Sequence, residues 1–224
     1  MTADDPATTP TATIRSSNPA EALMERLHAW GPTIDAPLFV GLDGRGGSGK
    51  STLAAAISNA ACSTAGNSDA LTVIKGDQFY AGGSNETWDG RTVAEWANSV
   101  IDWRRQRLVL EQLREEGTAT WHPFDWDSND WDSDIVPFTS EPVAARLAPI
   151  VVLEGAYSCR PELHDLLDVR VLLDVPQEIR RRQLIEREGD GYRINWEARW
   201  DAAEDHYFVT VMRPDRFDFV IGPA

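Results

Sequence analysis

The sequence predicts an α/β protein built on a five-stranded parallel sheet flanked by helices. Two observations carry that expectation. Continuous apolar runs at 38–42, 71–74, 150–153, 169–173 and 217–221 have strand length and lack a polar alternation, as strands covered on both faces do. Stretches of helical spacing separate them, which is the element order that parallel strands need for their crossovers. A length of 224 residues suits one domain, read here as 18–224 behind a disordered tail at 1–17.

The elements can be justified in chain order. The first residues are rich in Thr, Ala, Pro and Asp and hold no apolar stretch of the kind a signal peptide needs. Asn18-Pro19-Ala20-Glu21 is a capping-box pattern that opens a helix, and Leu23, Met24, Leu27 and Trp30 recur along it until Gly31-Pro32. The first strand leads into a glycine-rich turn and a helix over 49–61. After the second strand a long helix is predicted over 93–116, with Val93, Trp96, Val100, Trp103, Leu110 and Leu113 near one stripe. The stretch 118–148 reads as a loop-like insertion, crowded with Trp and Asp, lying over the active face. A helix rich in arginine opens at Pro176, between the fourth and fifth strands. There is no internal repeat.

Composition narrows the partners. Thirty-six acidic against 21 basic residues give a net charge of −15, a field that repels phosphate backbones and anionic membranes. Nucleic-acid and membrane binding are therefore not expected, while a small anionic ligand needs only a local positive pocket. No apolar run approaches the ~18 residues of a membrane span. Cys62 and Cys159 are too few for a disulfide framework and read as reduced thiols of a cytoplasmic protein. Only two lysines occur, Lys50 and Lys75.

One of those lysines lies in the strongest motif. Gly44, Arg45, Gly46, Gly47, Ser48, Gly49, Lys50 and Ser51 match the G-x-x-x-x-G-K-[ST] P-loop at every specified position, between a strand and a helix as that motif requires. Glycines let successive N–H groups turn inward toward phosphates, and the N-terminus of the helix that follows adds its partial positive charge. Lys50 can bridge the outer phosphates of a nucleotide, and the Ser51 hydroxyl can ligate Mg²⁺. Lys50 and residues 44–52 are thus the expected nucleotide site in a P-loop NTPase fold.

Two acids stand where such a sheet binds its ligands, just past carboxyl ends of strands: Asp77 after the second run and Glu154 after the third. One acid can orient Mg²⁺ while the other accepts a proton from an attacking hydroxyl. The arginine helix carries Arg180, Arg181, Arg182 and Arg187, followed by Gly189-Asp190-Gly191-Tyr192-Arg193. Arg180 and Arg187 share a face and suit a lid that neutralises phosphoryl charge; pairing with Glu178, Glu186 and Glu188 is the alternative.

The P-loop, Asp77-Gln78-Phe79-Tyr80, Glu154-Gly155-Ala156-Tyr157 and the arginine helix resemble the uridine kinase and phosphoribulokinase group of P-loop kinases. His206-Tyr207, Arg213-Pro214 and Asp218-Phe219-Val220-Ile221 resemble that group's closing segment, so the likeness spans about 37–222. It implies Mg-ATP-dependent phosphorylation of a small-molecule hydroxyl, with Asp77 as base or hydroxyl-orienting group and Arg180 and Arg187 or their neighbours on the ATP phosphates; the residues themselves assign Mg²⁺ to Ser51 and Glu154. The group's Asp-His-Pro element is absent from Ser84-Asn85-Glu86-Thr87-Trp88-Asp89-Gly90. The acceptor is therefore read broadly, as a nucleoside or similar sugar-like molecule.

Tyr80, Asp125, Trp126 and Tyr157 are the candidates for contacting it. Trp121, His122, Phe124, Trp126 and Trp131 lie close together, and their rings either stack a planar base or simply pack. A homo-oligomer is compatible with the sequence. The rival reading is a regulatory P-loop NTPase whose hydrolysis drives a conformational switch, although neither an Asn-Lys-x-Asp nor a Leu-Ser-Gly-Gly sequence is present.

Overall fold

The computed structural model describes residues 11–65, 68–128, 133–188 and 194–222. Its elements run β1 (Ala12–Ile14), α1 (Pro19–His28), β2 (Leu38–Asp43), α2 (Lys50–Ala65), β3 (Leu71–Lys75), α3 (Asn85–Asp89), α4 (Val93–Ser99) and α5 (Trp103–Glu116). They continue with β4 (Thr118–Trp121), β5 (Val143–Arg146), β6 (Ile150–Glu154), β7 (Val169–Leu173), α6 (Gln177–Glu188), α7 (Ile194–His206) and β8 (Phe219–Ile221).

The main sheet is parallel throughout, in the order β1-β8-β7-β2-β6-β3. β2 lies between β7 and β6, and every one of its residues is buried. Its side chains alternate between two cores. Phe39 faces the layer that holds Val109, Leu110 and Leu113 of α5. Leu38, Val40 and Leu42 face the layer formed by Leu23 and Leu27 of α1 and Ile57 of α2. An apolar run without polar alternation therefore feeds both faces, as expected for a sheet sandwiched between helices.

The sheet has six strands rather than five. The sixth is β1, inside the segment read from sequence as a tail; residues 1–10 lie outside the described residues. Ala12, Thr13 and Ile14 pair with Phe219, Val220 and Ile221, which covers the open edge of β8, and Ile14 reaches the core at 6% exposure. Three residues are too short to register as a periodic pattern.

Two further expectations need correcting. The segment 118–148 is not wholly a loop: β4 and β5 form an antiparallel pair, with Ala119 and Trp121 inward and Thr118 and Thr120 outward. The single helix expected over 93–116 is two helices. At the break, Ala81 N–H donates to Val100 O (3.0 Å) and Asp102 N–H donates to Phe79 O (2.8 Å). Asp102 then caps α5 by accepting from the Arg105 N–H at 3.3 Å. The break thus ties both helices to the turn that carries Asp77. No helix among the described residues is long and apolar enough to cross a membrane.

Candidate active site

β2 delivers the chain to Gly44, and the loop through Gly49 wraps the start of α2. Lys50 is 8% exposed, and its ammonium donates to the carbonyl oxygens of Gly44 (2.6 Å) and Arg45 (2.9 Å). Gly47 has φ +72, and a Cβ there would stand 2.5 Å from the Arg180 carbonyl oxygen. Only glycine lets α6 rest directly on the loop. A cavity of about 550 Å³ opens here, lined by Gly46, Gly47, Gly49, Lys50, Ser51 and Thr52. The α2 N-terminus adds its partial positive charge to that wall. The Ser48 hydroxyl, 5% exposed, has no hydrogen-bond partner among the described residues. These are features of an anion cradle.

Asp77, Ile101, Glu154 and Arg187 line the same cavity. Asp77 stands in a 3-10 turn at Gly76–Phe79, immediately after β3. A Cβ on Gly76 would lie 2.8 Å from the Glu154 carbonyl oxygen, so the glycine allows the carboxyl ends of β3 and β6 to close together. Glu154 is 2% exposed, and its Oε2 accepts from the Ser51 hydroxyl at 3.3 Å. Burial raises its pKa and the charge of Asp77 raises it further, against the opposing pull of Lys50 and the Ser51 hydrogen bond.

No group of three or more His, Cys, Asp or Glu side chains among the described residues could hold a metal. The hydroxyl–carboxylate pair of Ser51 and Glu154 suits a hard cation of another kind, one that completes its shell with phosphate oxygens and water, as Mg²⁺ does. The residues present fit the ion that the motif implies.

The two candidate arginines separate. Arg187 lines the cavity. Arg180 is 6% exposed and lies against the loop, its Nε donating to Val175 O (3.2 Å) and its Nη1 to Gly46 O (3.1 Å). Glu204 of α7 faces it: Oε2 is 3.9 Å from Arg180 Nη1, and Oε1 accepts the Gly46 N–H at 2.8 Å. Burial raises the Glu204 pKa, while Lys50 and then the Gly46 hydrogen bond lower it. Next along α7, Asp205 pairs with Arg45 at 2.6 Å. Residues 189–193, expected in the lid, lie outside the described residues.

Beneath the loop sits a carboxylate that sequence reasoning passed over. Asp43 is fully buried and accepts from Gly44 N–H (2.8 Å), Tyr157 N–H (2.9 Å), Cys159 N–H (2.9 Å) and the Tyr207 hydroxyl (2.8 Å). Burial holds its pKa above the ordinary carboxylate value, against the opposing pull of those hydrogen bonds and the charge of Lys50. Its signal was an acid closing a wholly apolar strand, a position that demands partners. Glu204 had no such signal, since acids are ordinary inside helices.

The acceptor candidates do not line the cavity. Tyr157 is 2% exposed, adopts φ +68, and packs edge-on against Tyr207. Tyr80 is 4% exposed within a ring cluster that contains Trp88, Phe124, Trp126 and Trp200. Trp126 stacks on Tyr80 at 5.2 Å and remains 41% exposed. The Asp125 side chain accepts from Asp127 N–H at 3.1 Å. Trp121 is a packing residue, its Nε1 donating to Gln78 Oε1 at 3.0 Å and its ring stacked on Phe79. Trp131 lies outside the described residues.

With that geometry in view, the relatives become informative. The chain is 26% identical over 190 residues to uridine kinase of Clostridium novyi (strain NT), covering 82% of this chain and 81% of that protein. A structure described as a possible uridine kinase from Bacillus stearothermophilus superposes with TM-score 0.66 at 20% identity, covering 90% of this chain and 96% of that one. The chain has the fold of the uridine kinase-like P-loop kinases. A structure described as a putative fructose transport system kinase from Silicibacter sp. TM1040 matches at TM-score 0.62 and 22% identity, over 90% of this chain and 96% of that one. D-glycerate 3-kinase from Cryptococcus neoformans matches at TM-score 0.55 and 12% identity, over 91% and 92%. No family model matches.

Proposed function

We propose that the chain is an Mg-ATP-dependent kinase that phosphorylates a hydroxyl of a small molecule, a nucleoside or similar sugar-like acceptor. The observation carrying this reading is that the phosphate cradle, the Ser51–Glu154 pair and Asp77 share one cavity. A switch NTPase needs the first two; a carboxylate beside them at a strand end supplies what alcohol transfer adds. The similarity to uridine kinase supports the same reading.

In this mechanism the loop amides and Lys50 bind the phosphate chain, and Lys50 exchanges its two carbonyl partners for phosphate oxygens. Ser51 and Glu154 would hold Mg²⁺, which would supply charge neutralisation at the phosphates. Asp77 orients the acceptor hydroxyl and takes its proton as oxygen bonds to the γ-phosphorus and the bond to the ADP oxygen breaks. Arg187 adds positive charge from the lid side, and closure of α6 excludes water.

The test is ADP release from Mg-ATP against a panel of nucleosides, sugars and other ribosyl compounds, with Lys50→Ala as blank. Stimulation by one acceptor class, lost in the blank, is the expected result. Steady release indifferent to every acceptor would instead support a regulatory NTPase.

A further inference from the structure

Glu204 has a role that neither its sequence context nor the P-loop motif assigns. It is 7% exposed, and it reaches the loop from α7, beyond the arginine helix. Gly46 is held through both of its flanking peptides: its N–H donates to Glu204 Oε1 (2.8 Å), and its carbonyl accepts from Arg180 Nη1 (3.1 Å). Arg180 and Glu204 in turn face each other at 3.9 Å. A Cβ on Gly46 would stand only 3.3 Å from Glu204 Oε1, so the acid sits tightly against the loop.

Gly46 lines the cavity. Its amide is nevertheless already spent on a carboxylate, the same class of ligand as a phosphate oxygen. Within the loop, the other lining residues are Gly47 and Gly49, which lead into Lys50, Ser51 and Thr52 at the α2 N-terminus.

We propose that Glu204 is a positioning residue of the phosphoryl-transfer site, which withholds the Gly46 N–H and balances Arg180 so that bound phosphates are confined to the amides from Gly47 onward. The phosphate chain is thereby held in one register against Ser51 and Asp77. Register matters because transfer needs the phosphorus and the acceptor oxygen within a near-attack distance. A phosphate that slid toward Gly46 would still be bound, and bound well, but would lie away from Asp77. The inference rests on the kinase reading for its effect on turnover, and on the loop alone for its effect on anion binding.

The sign of that effect distinguishes positioning from simple support. Removing Glu204 frees one amide and leaves the buried Arg180 charge without its acid, and both changes favour an anion. In the full chain, Glu204→Ala should bind pyrophosphate and Mg-ATP about tenfold more tightly by calorimetric titration, while kcat with the acceptor found by the panel falls tenfold or more. Glu204→Gln keeps an oxygen for the Gly46 N–H, so its kcat should stay within about threefold of wild type, with a smaller gain in anion affinity.

An acid that merely supports the fold would lower the melting temperature and weaken both ligands. Unchanged or weaker pyrophosphate binding by folded Glu204→Ala overturns the inference. If that variant does not fold, Glu204→Gln decides, and pyrophosphate affinity equal to wild type overturns it. A wild-type protein that binds pyrophosphate yet phosphorylates no acceptor would sink the kinase reading, while the pyrophosphate titration still judges Glu204.

Discussion

The hydroxyl of Tyr207 donates to the Asp43 carboxylate at 2.8 Å, joining residues 164 apart in the chain. Asp43 is the last residue of β2, and Tyr207 stands at the start of a π-helical turn over Tyr207–Val211. The same carboxylate takes N–H groups from both the P-loop and the turn after β6. One buried side chain therefore sets the height of the phosphate cradle against the strand that carries Glu154.

Asp43→Asn should be severely destabilising, because its NH₂ must face a donor that the carboxylate accepts. The expected cost is about 3 kcal/mol, against about 1 kcal/mol for Tyr207→Phe. Urea unfolding of both variants and of the double mutant checks this, and additive losses would show that the two groups are not coupled.

Gly47→Ala should fold, since the loop is at the surface of the cavity, but its Cβ would meet the Arg180 carbonyl oxygen at 2.5 Å. Either the loop or α6 must give way. ATP affinity should drop by at least about tenfold with the urea midpoint changed little, as expected for strain confined to a functional loop. Unaltered ATP binding would mean that α6 does not rest on the loop during nucleotide binding.

For Asp77→Asn, turnover should fall by about two to four orders of magnitude while the ATP dissociation constant stays within about twofold. Rapid-quench measurement of product formation, alongside nucleotide titration, separates the two. Near-normal turnover would remove Asp77 from proton transfer.

Glu154 gives the reaction a predictable acid limb. Its pKa is raised above the usual 4.5, first by burial and then by the charge of Asp77. Only the ionised form ligates a cation well, so Mg²⁺ dependence should steepen as pH falls toward that raised value, earlier than for an ordinary glutamate. The raised value also means that ionising Glu154 opposes folding: its stabilising contribution is full below 4.5 and is lost as pH rises through the folded-state pKa. Glu154→Gln should remove both dependences, to be read from Mg²⁺ titrations and melting temperatures across pH 4–8.

Trp88 and Trp126 share a ring cluster but not an environment: Trp88 is fully buried, whereas Trp126 is 41% exposed. Trp88→Ala should cost about 3–5 kcal/mol of stability. Trp126→Ala should cost under about 1 kcal/mol and raise the acceptor KM. An unchanged KM would reduce Trp126 to a surface packing residue.

The phosphate half of the site was legible because its chemistry is local. Eight consecutive residues from Gly44 to Ser51 encode both the turn and the ligands, and Asp77 and Glu154 betray themselves by closing apolar runs. What escaped depended on distance. Nothing near Glu204 announces that α7 returns to Gly46, 158 residues away, and nothing near Ala12 announces that β8 needs a partner. The break between α4 and α5 escaped for a related reason. Its cause is the hydrogen bonding of Val100 and Asp102 to the Asp77 turn, which outweighs a continuous helical stripe. Tyr80 and Tyr157 stand in short runs beside Asp77 and Glu154, which does not disclose that both are buried and that neither lines the cavity.

The strand order carries a consequence for synthesis on the ribosome. β2 emerges early, yet its neighbours β6 and β7 begin at Ile150 and Val169, and β1 waits for Phe219–Ile221. Asp43 likewise lacks its Tyr207 donor until another 164 residues have been made. A nascent chain halted before Tyr207 carries the whole phosphate-binding motif on a strand with no finished sheet and an acid with an empty lone pair. The anchor that holds the start of the glycine-rich loop against the turn after β6 is thus completed only once residue 207 has been made.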